Sequence, residues 1–183
     1  MYKNKITWEQ RKLGEVAEGF EYGLNAAATD FDGENKYIRI TDIDDETRLF
    51  MQSSVTSPDT DLEVADNYIL REGDILFART GASVGKTYIY KAYDGLMYYA
   101  GFLIKAHVNN QNNANFIFQN TLTELYKKYI QITSQRSGQP GVNAKEYQDF
   151  TFYVPNKLEQ DKISSYLMNL DNLITLHQRK YYV

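Results

Sequence analysis

The chain has 183 residues, enough for one domain with a sizeable core and an appendage. Its 20 Lys+Arg against 24 Asp+Glu give a formal net charge of −4, which argues against a protein that binds nucleic acid unaided. Cysteine is absent, which excludes disulfides, thiol catalysis and cysteine-ligated zinc. No apolar run approaches the ~18 residues of a membrane span, and "MYKNKITWEQ" lacks the apolar core of a signal peptide, so a cytoplasmic protein is expected.

In chain order, Thr7-Trp8-Glu9-Gln10 has the shape of a helix start, with Leu13 and Val16 on one face of a short helix. Gly19, Gly23 and Gly33 punctuate what reads as a polar loop. "KYIRITDI" (36–43) alternates as a strand does, with Ile38 and Ile40 on one face. Residues 53–61 read as a loop, and "REGD" (71–74) as a turn before a strand at 75–79. A strand pair from 87–91 to 97–107 is expected around Asp94-Gly95, a good hairpin dipeptide. Phe118, Leu122, Leu125, Tyr129 and Ile132 then follow the spacing of one amphipathic helix over about 114–133. A second glycine-containing polar loop follows at 134–143, then a strand at 149–155.

The final segment is the clearest. Asn156 can cap a helix with Glu159 at its third position. Ile163, Leu167, Leu170, Ile174 and His177 recur at heptad spacing, and Leu173 and Leu176 broaden the stripe. Such a seam either folds back on its own domain or packs against another chain; the second is the sharper expectation.

"FARTGASVGKTYIY" (77–90) imitates a nucleotide phosphate loop, but only three residues separate Gly81 from Gly85. The β-branched and aromatic "TYIY" that follows favours a strand where a helix is required. The stretch reads as strand, glycine loop, strand, with Arg79, Thr80, Ser83 and Lys86 crowded at the tip. Other chemistry is equally thin. His107 and His177 lack zinc spacing, "DFDGEN" (30–35) lacks the full calcium-loop pattern, and the Glu-x-Lys of "ENK" (34–36) wants an aspartate on an earlier strand, whereas the one Pro-Asp pair, Pro58-Asp59, comes later. No catalytic and no metal-binding residues are assigned. Sixteen Tyr and nine Phe suit a contact surface or a tyrosine-rich sheet. Acids clump at "DIDDE" (42–46) and at Asp59, Asp61, Glu63 and Asp66, which leaves room for a neutral or basic face elsewhere.

"WEQRKLGEVAE", "YIRITDI", "LREGDILFARTGASVGKTYIY" and "VPNKLEQDKISSYLMNLDNLITLHQRK" occur in this order from Trp8 to Lys180. Together they resemble the specificity subunit of type I restriction–modification systems. The resemblance implies a target recognition domain that reads one half of a split sequence in double-stranded DNA, followed by a spacer helix. Typical members carry two such units with their helices packed antiparallel. The one unit here implies a natural half subunit, a truncated product or a fragment. The resemblance also implies methyltransferase subunits as partners, and through the complex a motor–nuclease subunit. S-adenosylmethionine, ATP and Mg²⁺ then belong to those partners, and this chain is a non-catalytic module with no cofactor of its own.

The expectation is therefore a mixed α/β (α+β) domain over residues 1–155, with a bent, mainly antiparallel sheet and packed helices. A long helix over 156–183 follows, suited to coiled-coil-like pairing and a homodimer through Ile163, Leu167, Leu170, Ile174 and His177. DNA contacts are expected from Arg39 on the 36–43 segment, from Arg79, Thr80, Ser83 and Lys86, and from Arg136, Ser137, Gln139 and Asn143. Arginine suits guanine or phosphate, lysine phosphate, and Gln or Asn a base edge. A module binding protein or peptide through a tyrosine-rich face is the alternative, and a stand-alone nuclease on the acidic clusters a third reading.

Overall fold

A computed structural model describes residues 7–135 and 138–181. Its elements, in order, are β1 (Glu9–Lys12), α1 (Leu13–Val16), β2 (Ala17–Tyr22), β3 (Ala27–Asp30), β4 (Lys36–Ile38), β5 (Thr56–Asp59), β6 (Asp74–Ala78), β7 (Thr87–Ile89), β8 (Met97–Tyr99), β9 (Leu103–Val108), α2 (Ala114–Asn120), α3 (Glu124–Thr133), α4 (Ala144–Gln148), β10 (Thr151–Val154) and α5 (Lys157–Tyr181). The class is mixed α+β, but the strands make four sheets in place of one bent sheet. A four-stranded antiparallel sheet in the order β2-β9-β6-β7 forms the centre. Antiparallel pairs β1-β10 and β3-β5, and the parallel pair β4-β8, surround it.

The central strand β6 explains the architecture. All five residues of "DILFA" are buried, because both faces of the sheet are covered. Ile75 and Phe77 join Leu13, Ile104, Phe116, Ile117, Tyr126, Tyr147, Phe150 and Phe152 in a core beneath the helices. Leu76 and Ala78 point the other way, to Ile38, Ile43, Tyr88, Met97, Tyr99 and Leu103. A smaller third cluster gathers Tyr37, Ala65, Tyr98 and Ala100. Thus Tyr37, Tyr88, Tyr90, Tyr98, Tyr99, Tyr126 and Tyr147 are all buried, and much of the tyrosine enrichment is core.

Several sequence expectations are corrected. The segment before Leu13 is strand β1, stabilised by pairing with β10 across the whole chain length (Glu9↔Val154 to Lys12↔Thr151). The region read as polar loop contains β2 and β3, and the loop at 53–61 contains β5. After Ile38 the chain leaves the strand for a 3₁₀ turn at Ile40–Asp42, where the Arg39 backbone N–H and side chain both bond Asp42. Asp94-Gly95 does make a turn, with Gly95 at φ 84°, but β7 and β8 enter different sheets and do not pair.

The single helix expected over 114–133 is two. Thr121 is buried, its hydroxyl donating to Phe118 O (2.7 Å) and sharing a hydrogen bond with Thr87 (2.8 Å); Thr123 then caps a new helix by accepting from Tyr126 N (3.3 Å). The break rotates the buried face to Tyr126 and Ile130, and leaves Leu125 and Ile132 exposed.

Helix α5 divides its own seam. Asn156 caps it as expected, accepting from Glu159 N at 3.1 Å. Buried Gln160 ties the first turns to the domain. It accepts from Asn113 N (2.9 Å) and donates to Asn112 Oδ1 (3.0 Å) and Pro155 O (2.9 Å). Ile163 packs on the helical core, and Leu167 is half-buried. Leu170, Leu173, Ile174 and His177 are exposed.

Candidate nucleic-acid interface

The described parts of the two glycine-containing loops, 50 or so residues apart in sequence, are one structure. Arg79 and Thr80 leave the end of β6 and run alongside Gly141 and Val142. Gly81 N donates to Pro140 O (3.0 Å), Val142 N donates to Arg79 O (2.9 Å), and Thr80 and Gly141 form an isolated antiparallel bridge. The turn between β8 and β9 completes the tip, because Arg79 N donates to Phe102 O at 3.0 Å. Loop backbone that would otherwise need water is satisfied by three separate segments.

A groove lies on each side of the 79–86 loop, one of about 730 Å³ and one of about 740 Å³. The first, at ≈ 730 Å³, brings together Tyr22, Arg39, Thr41, Arg79, Thr80, Phe102 and Gln139, and Asn143 joins the same face beside Pro140. Arg79 lies with its guanidinium carbon 4.8 Å above the Tyr22 ring, and its Nη1 donates to Gly101 O at 3.5 Å. Arg39 is held differently, with Nε and Nη2 each 2.8 Å from a different carboxylate oxygen of Asp42. Asn143 is the N-cap of α4, accepting from Glu146 N at 2.9 Å, while Gln139 is exposed at the loop crest. Gly23 forms the floor. A Cβ there would collide with the carbonyl of Ala100, so only glycine permits this approach of β2 to the β8–β9 turn.

Ser83 and Lys86 fall on the other wall. They line the second depression with Asp45, Glu46, Arg48, Thr121 and Lys127. The loop doubles back here, with Val84 N donating to Gly81 O and Lys86 N to Ser83 O, and Gly85 sits at φ 85° against Ile130. The Lys86 side chain is only 7% exposed. Its ammonium donates to Ile43 O (3.0 Å) and Ile40 O (3.5 Å) and pairs with Asp45 at 2.6 Å. As placed, it fixes the 40–45 turn and points no free charge at a phosphate. Arg136 and Ser137 lie outside the described residues.

Tyr22 and Phe102 were not legible as site residues. Phe102 is 63% exposed at a turn, and Tyr22 precedes the close-approach glycine, but nothing in their sequence neighbourhoods marks a site. The acidic segment that resembled a calcium loop is a closed turn. Asp32 accepts from Asn35 Nδ2 (2.8 Å), Asn35 N (2.7 Å) and Glu34 N (2.8 Å), bonds that hold its carboxyl down at about 2. Among the described residues no group of three or more His, Cys, Asp or Glu side chains is placed to hold a metal, and no helix is long and apolar enough to cross a membrane.

The fold is shared with solved proteins. A type I R-M system structure, described for its complex assembly and conformational transition, is 17% identical, covers 94% of this chain and superposes with a TM-score of 0.65. The crystal structure of the HsdS subunit from Thermoanaerobacter tengcongensis is 17% identical, covers 94% of this chain and gives a TM-score of 0.63. The type I restriction–modification S subunit from M. genitalium is 13% identical, covers 98% and gives 0.62. The chain spans 40%, 39% and 45% of those three chains respectively. Among curated protein sequences none matches. The family model described as type I restriction modification DNA specificity domain matches residues 5–182. The chain belongs to that family.

Proposed function

We propose that this chain reads one half of a bipartite DNA target and directs methyltransferase subunits, and through them a motor–nuclease subunit, to that sequence. Residues 1–155 are the recognition domain and 156–183 the spacer helix. The observation that carries this reading is the fusion of the 79–81 and 139–142 loops into one crest. It projects Arg79, Thr80 and Gln139 beside a groove, in a member of a DNA-specificity family. The crest supplies the two components a reader needs. A cationic fork and an amide suit base edges, and flanking polar groups position the duplex. Asn143 and Arg39 stand at the edges of the same face, and Arg136 and Ser137 belong to the same loop in sequence. S-adenosylmethionine, ATP and Mg²⁺ act on the partner subunits in this reading, and this chain performs no bond chemistry.

The exposed end of α5 is the second working part. Leu170, Leu173 and Ile174 present an apolar face beyond the turns that pack on the domain. A second unit, in another copy of this chain, would pair with it and produce inverted half-sites at a fixed spacing.

Methylation mapping tests the whole reading. Cells that pair this chain with its methyltransferase should acquire methylation at one bipartite motif, and omission of the chain should abolish it. A methylated motif that persists unchanged without the chain would sink the proposal.

A further inference from the structure

We infer that Tyr22 is a positioning residue that holds Arg79 ready to select one guanine in the half-site; this rests on reading the groove as the DNA interface. An arginine side chain carries about 2 kcal/mol of rotamer entropy, so an unsupported one discriminates bases poorly. The Arg79 guanidinium carbon lies over the Tyr22 ring, 4.8 Å from its centroid, a cation–π contact that restrains the side chain. Its single side-chain hydrogen bond among the described residues, to Gly101 O, is at the 3.5 Å limit of a real one. By contrast, Asp42 occupies two donors of Arg39 at 2.8 Å each. Of these two arginines, Arg79 alone offers the fork that matches O6 and N7 of guanine.

Tyr22 is itself fixed by the sheet. It ends β2 in register with Ile104, the next residue Gly23 donates to Leu103 O at 3.1 Å, and its hydroxyl accepts from Ala144 N at 3.4 Å. The ring position is therefore set chiefly by the sheet; the 3.4 Å contact of the hydroxyl with the first turn of α4, which also carries the Asn143 end of the crest, is too long to decide it. Stacking requires the aromatic face and not the hydroxyl, so phenylalanine should substitute and leucine should not.

The test is a binding selection from a randomised duplex pool, using the full chain assembled with its methyltransferase subunits. The unmutated chain, Tyr22→Phe, Tyr22→Leu and Arg79→Lys are compared. The unmutated chain and Tyr22→Phe should enrich guanine at one position. Tyr22→Leu and Arg79→Lys should lose on the order of tenfold of that preference, with the other positions unchanged. A Tyr22→Leu chain that keeps the full guanine preference overturns the inference and leaves DNA reading intact. If Tyr22→Leu fails to fold, the other variants decide: preference surviving Arg79→Lys, or lost in Tyr22→Phe, overturns it equally. An unmutated assembly that enriches no sequence defeats the reading of the groove, and the inference with it.

Discussion

Lys86 is where the chemistry of a single side chain decides between two roles. An ammonium with two backbone acceptors and a carboxylate at 2.6 Å is part of the fold, and its loss removes the buried bond to Ile43 O. Lys86→Met should therefore lower stability by about 1–3 kcal/mol in a denaturant titration. The salt dependence of DNA binding should stay unchanged, whereas loss of a phosphate-contacting lysine would reduce its slope by about 1. Asp32 makes a second, pH-dependent contribution. Its folded carboxyl is depressed from 3.8 to about 2, chiefly by the Asn35 side chain and then by the Asn35 and Glu34 amides. The stabilisation is therefore complete above the unfolded value and disappears as pH falls through about 2. A carboxyl NMR titration should place the Asp32 midpoint there, and Asn35→Ala should move it upward. A midpoint near 3.8 in the unmutated chain would remove this turn from the account.

At the scale of elements, two features carry the site. The close approach of β2 to the β8–β9 turn depends on Gly23, and the blocking atoms are backbone. Gly23→Ala should cost about 1–3 kcal/mol, and it should displace the turn bearing Phe102, so that DNA affinity falls with the denaturant midpoint. An alanine variant as stable as the parent would mean the approach is looser than the geometry implies. Helix α5 changes role along its length. Ile163→Asp should destabilise the whole domain, because Ile163 packs against its core. Leu170→Asp should leave the thermal transition alone and shift the particle from dimer to monomer in sedimentation. A concentration-independent monomer for the unmutated chain would rule out the dimer.

The whole molecule is acidic, and this bears on how it meets DNA. At a net charge of −4, few phosphates can be neutralised without partners. The free chain should bind duplex DNA weakly at physiological salt. Assembly with methyltransferase subunits should tighten binding and steepen its salt dependence, since each neutralised phosphate adds roughly 0.9 to the slope. Titrations at several salt concentrations, with and without the partner, check this directly. Tight binding by the chain alone would contradict it.

Local signals in the sequence determined the elements whose stabilisation is local. The cap at Asn156, the apolar run of β6, the glycine loop of 81–85 and the heptad stripe of α5 are all carried by neighbours within a few positions. Tertiary structure decided the rest, because the partners are remote. "EQRK" is a strand only because Thr151–Val154 lies beside it, with four exposed residues that no periodicity marks. β7 and β8 separate because Met97–Tyr99 finds β4, and α2 ends at Thr121 because Thr87 is there to meet it. The site follows the same division. Arg79, Thr80 and Gln139 were readable as polar residues in glycine loops. That the two loops form one crest, that Tyr22 lies under Arg79, and that Lys86 is turned inward depend on backbone hydrogen bonds and contacts between segments tens of residues apart.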